Sequence, residues 1–266
     1  MIDGCLHFVA GKESPTPYML QVPHQAVSMI LLGPGSSVTH DALRLLARHG
    51  TLMAAVGQDG VRSYTALPLL PDRSDVARRQ ADLWGNPRRR IGVARHMYAL
   101  RLGEVLPHRD LDTLRGIEGA RVKATYRLMA QKYGIEWKGR RYDRANPEGA
   151  DIANQAINHA ATAVEAAAAI AVQAVAAIPQ LGFIHEDSGQ SFVLDIADLF
   201  RDSLTLTIAF AAARKTETDD ATIDRLVRRE AGTVFRKRNV IGSMIDSIKK
   251  VLRMEELDGT GGGRDT

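Results

Sequence analysis

Apolar and polar positions change rhythm once along this chain of 266 residues. Over residues 1–67 the apolar positions fall in short alternating or continuous runs broken by Gly and Pro, the pattern of strands. Strands are predicted at Cys5–Ala10, Tyr18–Val22, Val27–Leu32, Thr51–Val56 and Val61–Ala66. One helix interrupts them, from about Val38 to Arg48, with Ser37 or Thr39 as its cap and Gly50 as its stop. Gln58-Asp59-Gly60 reads as a hairpin turn. Leu67 to Arg73, with Pro68 and Pro71, reads as a linker. From Ser74 to about Leu257 the spacing is helical, with helices over roughly 74–84, 88–105, 110–133, 147–178, 191–215, 219–236 and 240–254. Asn146 as cap and Pro147 at the first helical position predict the start of the fourth. Ala fills 14 of the 28 positions from 150 to 177, which predicts a buried central helix.

The fold class is therefore α+β: a small β-sandwich-like N-terminal domain (1–67), a linker (68–73), a larger all-α domain (74–257) and a disordered tail (258–266) rich in Gly. An N-terminal domain of this size is small for a self-sufficient core, so a second copy is expected to complete or cover its sheet. Cys5 is the one cysteine, which excludes an internal disulfide framework and fits a reducing compartment. The most apolar window, Ala163 to Ile178, is short for a membrane span and contains Glu165, so a cytoplasmic protein is expected.

Charge is segregated. Residues 73–144 carry 18 Lys/Arg against 8 Asp/Glu (+10), residues 145–232 carry 6 against 13 (−7), and residues 233–254 return to +5. A basic surface beside an acidic patch suits a polyanion on the first and a cation on the second. Gly33-Pro34-Gly35-Ser36 lacks the Gly-Lys-Ser/Thr of a phosphate loop and reads as a turn.

The acidic patch contains His185-Glu186-Asp187-Ser188-Gly189-Gln190-Ser191, followed by an apolar run that holds Asp195 and Asp198. With Ser191 as helix cap, the two carboxylates share one helix face and Asp195 lies in the first turn. Acids inside an apolar run need a positive partner, and a divalent cation is the usual one; a solvated acidic helix start is the alternative. Glu118, framed by Gly116 and Gly119 among Arg115, Arg121, Lys123 and Arg127, reads as a further ligand or as a surface ion-pair partner. Glycines there cost roughly 1 kcal/mol each relative to Ala, which a close backbone or ligand approach would offset.

Several separated segments, in order, resemble the CRISPR adaptation integrase family in its type I-E form. They are Leu114-Arg115-Gly116-Ile117-Glu118-Gly119 with Arg121-Val122, then Tyr133-Gly134-Ile135 with Trp137 to Asp143, then Asn154-Gln155, Gly182-Phe183-Ile184-His185, and Ser191 to Asp198. Gly33-Pro34-Gly35 with Val38 and His40, and Gly60-Val61-Arg62 with Tyr64, belong to the same likeness. The resemblance implies an enzyme that inserts short DNA fragments into a CRISPR array by 3′-hydroxyl attack on a phosphodiester. It implies Mg²⁺ or Mn²⁺ held by Glu118, His185 and Asp198, with Asp195 beside them to orient a ligand, accept the proton or bind a second ion. It places DNA-contacting or site-supporting groups at Arg44, Arg62, Arg115, Arg140, Tyr142 and Arg201. As partners it implies a homodimer through the N-terminal domain, the smaller CRISPR adaptation protein in a heterohexamer, and splayed or duplex DNA. It further implies a strand pair ahead of Ile2, hence an expectation that the start of this sequence is mis-assigned or truncated, and a tyrosine where this chain has Glu165. The rival functions are a metal-dependent repair endonuclease and a DNA-binding scaffold without catalysis.

Overall fold

The structure, a computed structural model, describes residues 6–10, 18–23, 26–66, 74–108, 110–141 and 150–252. The linker, the tail, Asn146, Pro147 and Tyr142 lie outside them. Strands β1 (Leu6–Ala10) and β2 (Tyr18–Val22) pair antiparallel, with Phe8 opposite Leu20 and Val9 opposite Met19. A second, mixed sheet has the order β3 (Met29–Leu32), β4 (Leu52–Val56) and β5 (Ser63–Ala66). Strands β3 and β4 run parallel, so α1 (His40–Arg48), capped by the Thr39 hydroxyl, is the crossover between them. Strands β4 and β5 are antiparallel across the expected turn, where Asp59 and Gly60 both take positive φ. Leu6, Ala42, Leu45, Leu46 and Met53 are the small core that the two sheets and α1 share.

The helical part comprises α2 (Asp75–Gly85), α3 (Pro87–Leu102), α4 (Leu111–Tyr133), α5 (Ile152–Ala174), α6 (Ser191–Leu199), α7 (Leu206–Lys215), α8 (Ile223–Arg238) and α9 (Val240–Leu252). Caps explain most boundaries. Asn86 accepts from the Arg88 and Arg89 amides, Asp110 from Thr113, and Gly103 and Gly134 end α3 and α4 in the left-handed conformation that costs glycine nothing. Helix α5 is central as expected, its alanines letting α6, α7, α8 and α9 pack closely on it. It begins later than predicted, because Asp151 caps it through the Asn154 amide, and it ends at Ala174 rather than 178.

Two further expectations are corrected. Ser191 is the first residue of α6 and not its cap; its hydroxyl is spent on Ser188, donating to the carbonyl at 2.7 Å and accepting from the amide. Asp195 therefore sits in the second turn, beyond the exposed amides of the helix start. The helix expected over 191–215 is also broken, since Arg201–Thr205 winds as a π turn between α6 and α7. The extra residue in that turn re-aims the side chains that follow Asp198.

The mixed sheet is docked on the helices. Ala54 and Val56 pack against Ile170 of α5, and Asp59 is ion-paired with Arg236 of α8. Gly232 on α8 has no side chain because Asp59 is there: a Cβ would lie 2.7 Å from its Oδ2. Arg62 adds a 2.6 Å ion pair with Asp224 at the start of α8.

Candidate active site

A cavity of about 690 Å³ opens between α3, α4, α6 and the loop before α6, lined by Tyr98, Arg101, Arg115, Glu118, His185 and Asp198 among others. Helix α4 delivers Glu118, α6 delivers Asp195 and Asp198, and the loop delivers His185. Glycine at 182 shapes that loop. A Cβ there would lie 2.4 Å from the His185 carbonyl oxygen and 2.7 Å from Ser191 Cβ. Fully buried Gln80 clamps the same loop, its amide donating to the Ile178 and Leu181 carbonyls and accepting from the Ile178 amide. Trp84 Nε1 donates to the Gly182 carbonyl at 3.0 Å, and Arg90 stacks on Trp84 while pairing with Glu186.

Asp195 is tied up entirely by the loop before its own helix. Its carboxylate is fully buried and accepts from the amides of Phe183 (2.5 Å), Ile184 (3.1 Å) and His185 (2.9 Å) and pairs with His185 Nδ1 (2.7 Å). With every lone-pair direction used internally, it is an orienting group. A carboxylate on Nδ1 fixes the imidazole tautomer and leaves Nε2 turned away from it, an arrangement also found at metal-binding histidines. The hydrogen bond that His185 Nδ1 donates to Asp195 pushes the His185 pKa above its ordinary value; burial opposes it, and the charges of Asp195 and Asp198 act with it.

Nε2 faces Asp198 Oδ2 at 3.9 Å. Two arginines bridge the acids. Arg101 Nη1 donates to Glu118 Oε1 at 2.6 Å and lies 3.9 Å from Asp198 Oδ2, while Arg201, from the π turn, pairs with Asp198 and lies 3.8 Å from Glu118. Glu165, from α5, belongs to the same electrostatic cluster; burial, then the charge of Asp198, push its carboxyl up. Tyr98 is pushed up to about 12, by burial first and Glu118 second, so its phenol stays a donor. Among the described residues, no three His, Cys, Asp or Glu side chains stand close enough to hold a metal ion as they are. Guanidinium groups take up the carboxylate oxygens in this arrangement. The donor set itself, two carboxylates and an outward imidazole nitrogen, suits a hard or borderline divalent cation.

Glu118, His185, Asp195, Asp198, Arg115 and Arg201 thus lie together around this cavity. Arg115 also supports the loop, donating to the Ile184 carbonyl at 2.6 Å. Glu118 does not join the surface pairs around it, which are Arg115 with Asp112 and Arg121 with Glu104. Nor do its flanking glycines serve a close backbone approach, since a Cβ at Gly116 or Gly119 meets open space. Three predicted groups lie elsewhere: Arg44 on α1 beside Asp41, Arg62 against α8, and Arg140 on the Asn154 and Asn158 side chains. The sequence reading missed Arg101 and Tyr98. Their signal is the buried stripe Val93, Ala94, Met97, Tyr98 on α3, which Arg101 prolongs where an apolar residue would be ordinary.

Comparison with known proteins bears on this constellation. Residues 98–228, from Tyr98 on α3 to α8, match the family model described as CRISPR associated protein Cas1. A CRISPR-associated endonuclease Cas1 of Escherichia coli (strain K12) is 37% identical over 258 residues, covering 97% of this chain and 82% of that protein. The chain belongs to the Cas1 family. The CRISPR-associated endonuclease Cas1 1 of Rhodospirillum rubrum is 36% identical over 90% of this chain and 78% of its own length. Among solved structures, a TtCas1–DNA complex superposes with a TM-score of 0.81 at 31% identity, over 88% of this chain and 87% of that one. A casposase bound to its integration product shares the fold, with a TM-score of 0.64 at 15% identity and coverage of 93% and 89%. The α+β architecture with a helical C-terminal part is thereby that of Cas1 proteins. No helix among the described residues is long and apolar enough to cross a membrane.

Proposed function

We propose that this chain is a divalent-metal-dependent DNA integrase of CRISPR adaptation, of the type I-E form, in which Glu118, His185 and Asp198 are the ligands. The observation that carries the reading is the His185–Asp195 pair, which turns an imidazole nitrogen toward Asp198, an acid that shares its arginine partners with Glu118. Mg²⁺ or Mn²⁺ bound there supplies a Lewis acid for a phosphoryl oxygen and for charge on the entering and leaving oxygens. The protein's own groups do the rest. Asp195 and the loop clamps hold His185 in one orientation, and Arg101 and Arg201 bridge the carboxylates and partly neutralise them before DNA arrives. In the reaction a 3′-oxygen of the incoming DNA forms a bond to phosphorus and gives up its proton to solvent. The bond from phosphorus to one repeat-strand oxygen breaks, and that oxygen takes up a proton and leaves as a hydroxyl.

The +10 segment from 73 to 144, which supplies Arg101 and Arg115 to the cavity wall, suits branched or splayed duplex DNA. The partners of this reading are a second copy bound through the N-terminal domain and the smaller CRISPR adaptation protein, in a heterohexamer acting in the cytoplasm. The exposed Phe8, Val9, Met19 and Leu20 on the β1–β2 hairpin are an apolar surface for such an assembly.

The test is a gel assay of strand joining on a splayed fragment and a repeat duplex, with Asp198→Ala beside the wild type. The expected result is joined product for the wild type with Mn²⁺ or Mg²⁺ and none for the variant, whose melting stays cooperative. Cleavage without joining would establish the repair-endonuclease alternative, and full activity of the variant or in excess chelator would overturn the metal site.

A further inference from the structure

Tyr98 and Arg101 lie one helical turn apart on α3, on the face that lines the acid cavity. Tyr98 is 2% exposed and its hydroxyl has no hydrogen-bond partner among the described residues. The Arg101 side chain is 4% exposed; Nη1 is held by Glu118, while Nε and Nη2 have no partner among the described residues. Three buried donors without acceptors thus stand together, and the charged groups that act on the Tyr98 phenol are Glu118, Arg115, Arg101 and Asp198, the cavity's own lining. Unsatisfied buried donors cost stability, so packing alone accounts for neither group; a phenylalanine would fill the Tyr98 site without that cost.

We propose that Tyr98 and Arg101 form a phosphate-holding subsite in the wall of the acid cavity, donating to a non-bridging oxygen of the phosphodiester under attack. The proposal rests on the integrase reading above and adds two substrate contacts to it. Glu118 is the group that now engages Arg101. A cation held by Glu118 and Asp198 would take over that counter-charge, and the guanidinium would then be a full donor set facing an anion. A phosphodiester oxygen is the matching acceptor: it carries charge, has several lone pairs, and gains further charge as the phosphorus adds its fifth ligand. Neither residue exchanges a proton or forms a bond. They hold the oxygen that becomes more negative in the transition state, as donors in an oxyanion hole do.

The experiment compares the wild type with Tyr98→Phe and Arg101→Lys in single-turnover strand joining, on targets carrying an Rp or Sp phosphorothioate at the attacked position. Sulfur accepts hydrogen bonds poorly, so one diastereomer slows the wild type through this subsite. Tyr98→Phe is expected to lower the joining rate about 10²-fold, with the DNA concentration for half-maximal rate changed less than about threefold and the stereospecific sulfur effect much reduced. Its thermal midpoint is expected to be unchanged or raised, because an unsatisfied hydroxyl is removed. Arg101→Lys keeps the charge and loses the fork, and should show the same reduced sulfur effect. A wild-type joining rate in Tyr98→Phe overturns the inference, as does a lower rate with a lowered midpoint and an intact sulfur effect. A wild type that joins no DNA overturns the integrase reading, and the proposal with it.

Discussion

The two parts of the molecule bury their apolar residues to different degrees. In the helical part, α5 lies at the centre of one continuous core running from Leu83 on α2 to Leu252 on α9. In the strand-rich part the apolar clusters are small, one of them completed by Ile170 of α5, and Phe8, Val9, Met19, Leu20 and Tyr64 are exposed. The contrast follows from composition. An Ala-rich helix brings four neighbours close, whereas two sheets of two and three strands have little area to bury. On the proposed function the difference sorts the roles: the continuous core would hold side chains to the few tenths of an ångström that catalysis needs, and the thin one would offer surface to other chains.

That division should break first at Gly182, where the rigid part has no room. Gly182→Ala pushes a methyl group onto the His185 carbonyl oxygen and Ser191. Displacing His185 by about 1 Å should lower strand joining about 10²-fold, as misplacement of that size typically does, with a stability loss of about 1–3 kcal/mol from overpacking. Single-turnover rates and thermal melts check both numbers; an unchanged rate would show that the loop does not fix the histidine.

On the other side of the comparison, Phe8→Ser with Leu20→Ser should cost the folded monomer little, about 0.5 kcal/mol each, because both side chains are half exposed. Sedimentation should nevertheless show a dimer becoming monomer at tens of micromolar. A double variant that remains dimeric would place the dimer contact elsewhere.

A smaller effect is expected from the basic surface. Arg140→Ala removes a guanidinium that stands on Asn154 and Asn158, away from the acids. It should weaken DNA binding across all sequences and flatten the logarithmic salt slope by about 0.9, the value for one phosphate contact on duplex DNA. A defect confined to one sequence would indicate base readout at this arginine.

Local chemistry decides what could be read in advance. Helix α1 was legible because Thr39 is a capping side chain at the edge of an apolar period, and the β4–β5 turn because Asp-Gly tolerates positive φ. The start of α5 was misread because Asn146-Pro147 is a good local start signal, while Asp151 five residues on is the group that caps the helix. The parallel pairing of β3 with β4 and the π turn at Arg201–Thr205 have no residue-type signature; both arise from where the surrounding elements pack. In the site, Glu118, His185 and the two aspartates stand out as polar groups in apolar or glycine-rich surroundings. Arg101 does not, since a buried arginine on a helix surface pattern looks like any solvated one until its acidic partners are in place.

The most direct test of the whole account is a crystal of the chain soaked in Mn²⁺ and measured at the manganese edge. The account predicts an anomalous peak within about 2.5 Å of Glu118, His185 Nε2 and Asp198, with the Arg101 and Arg201 guanidinium groups moved off the coordinating oxygens. No peak at saturating Mn²⁺, with both arginines still bridging the acids, would contradict it.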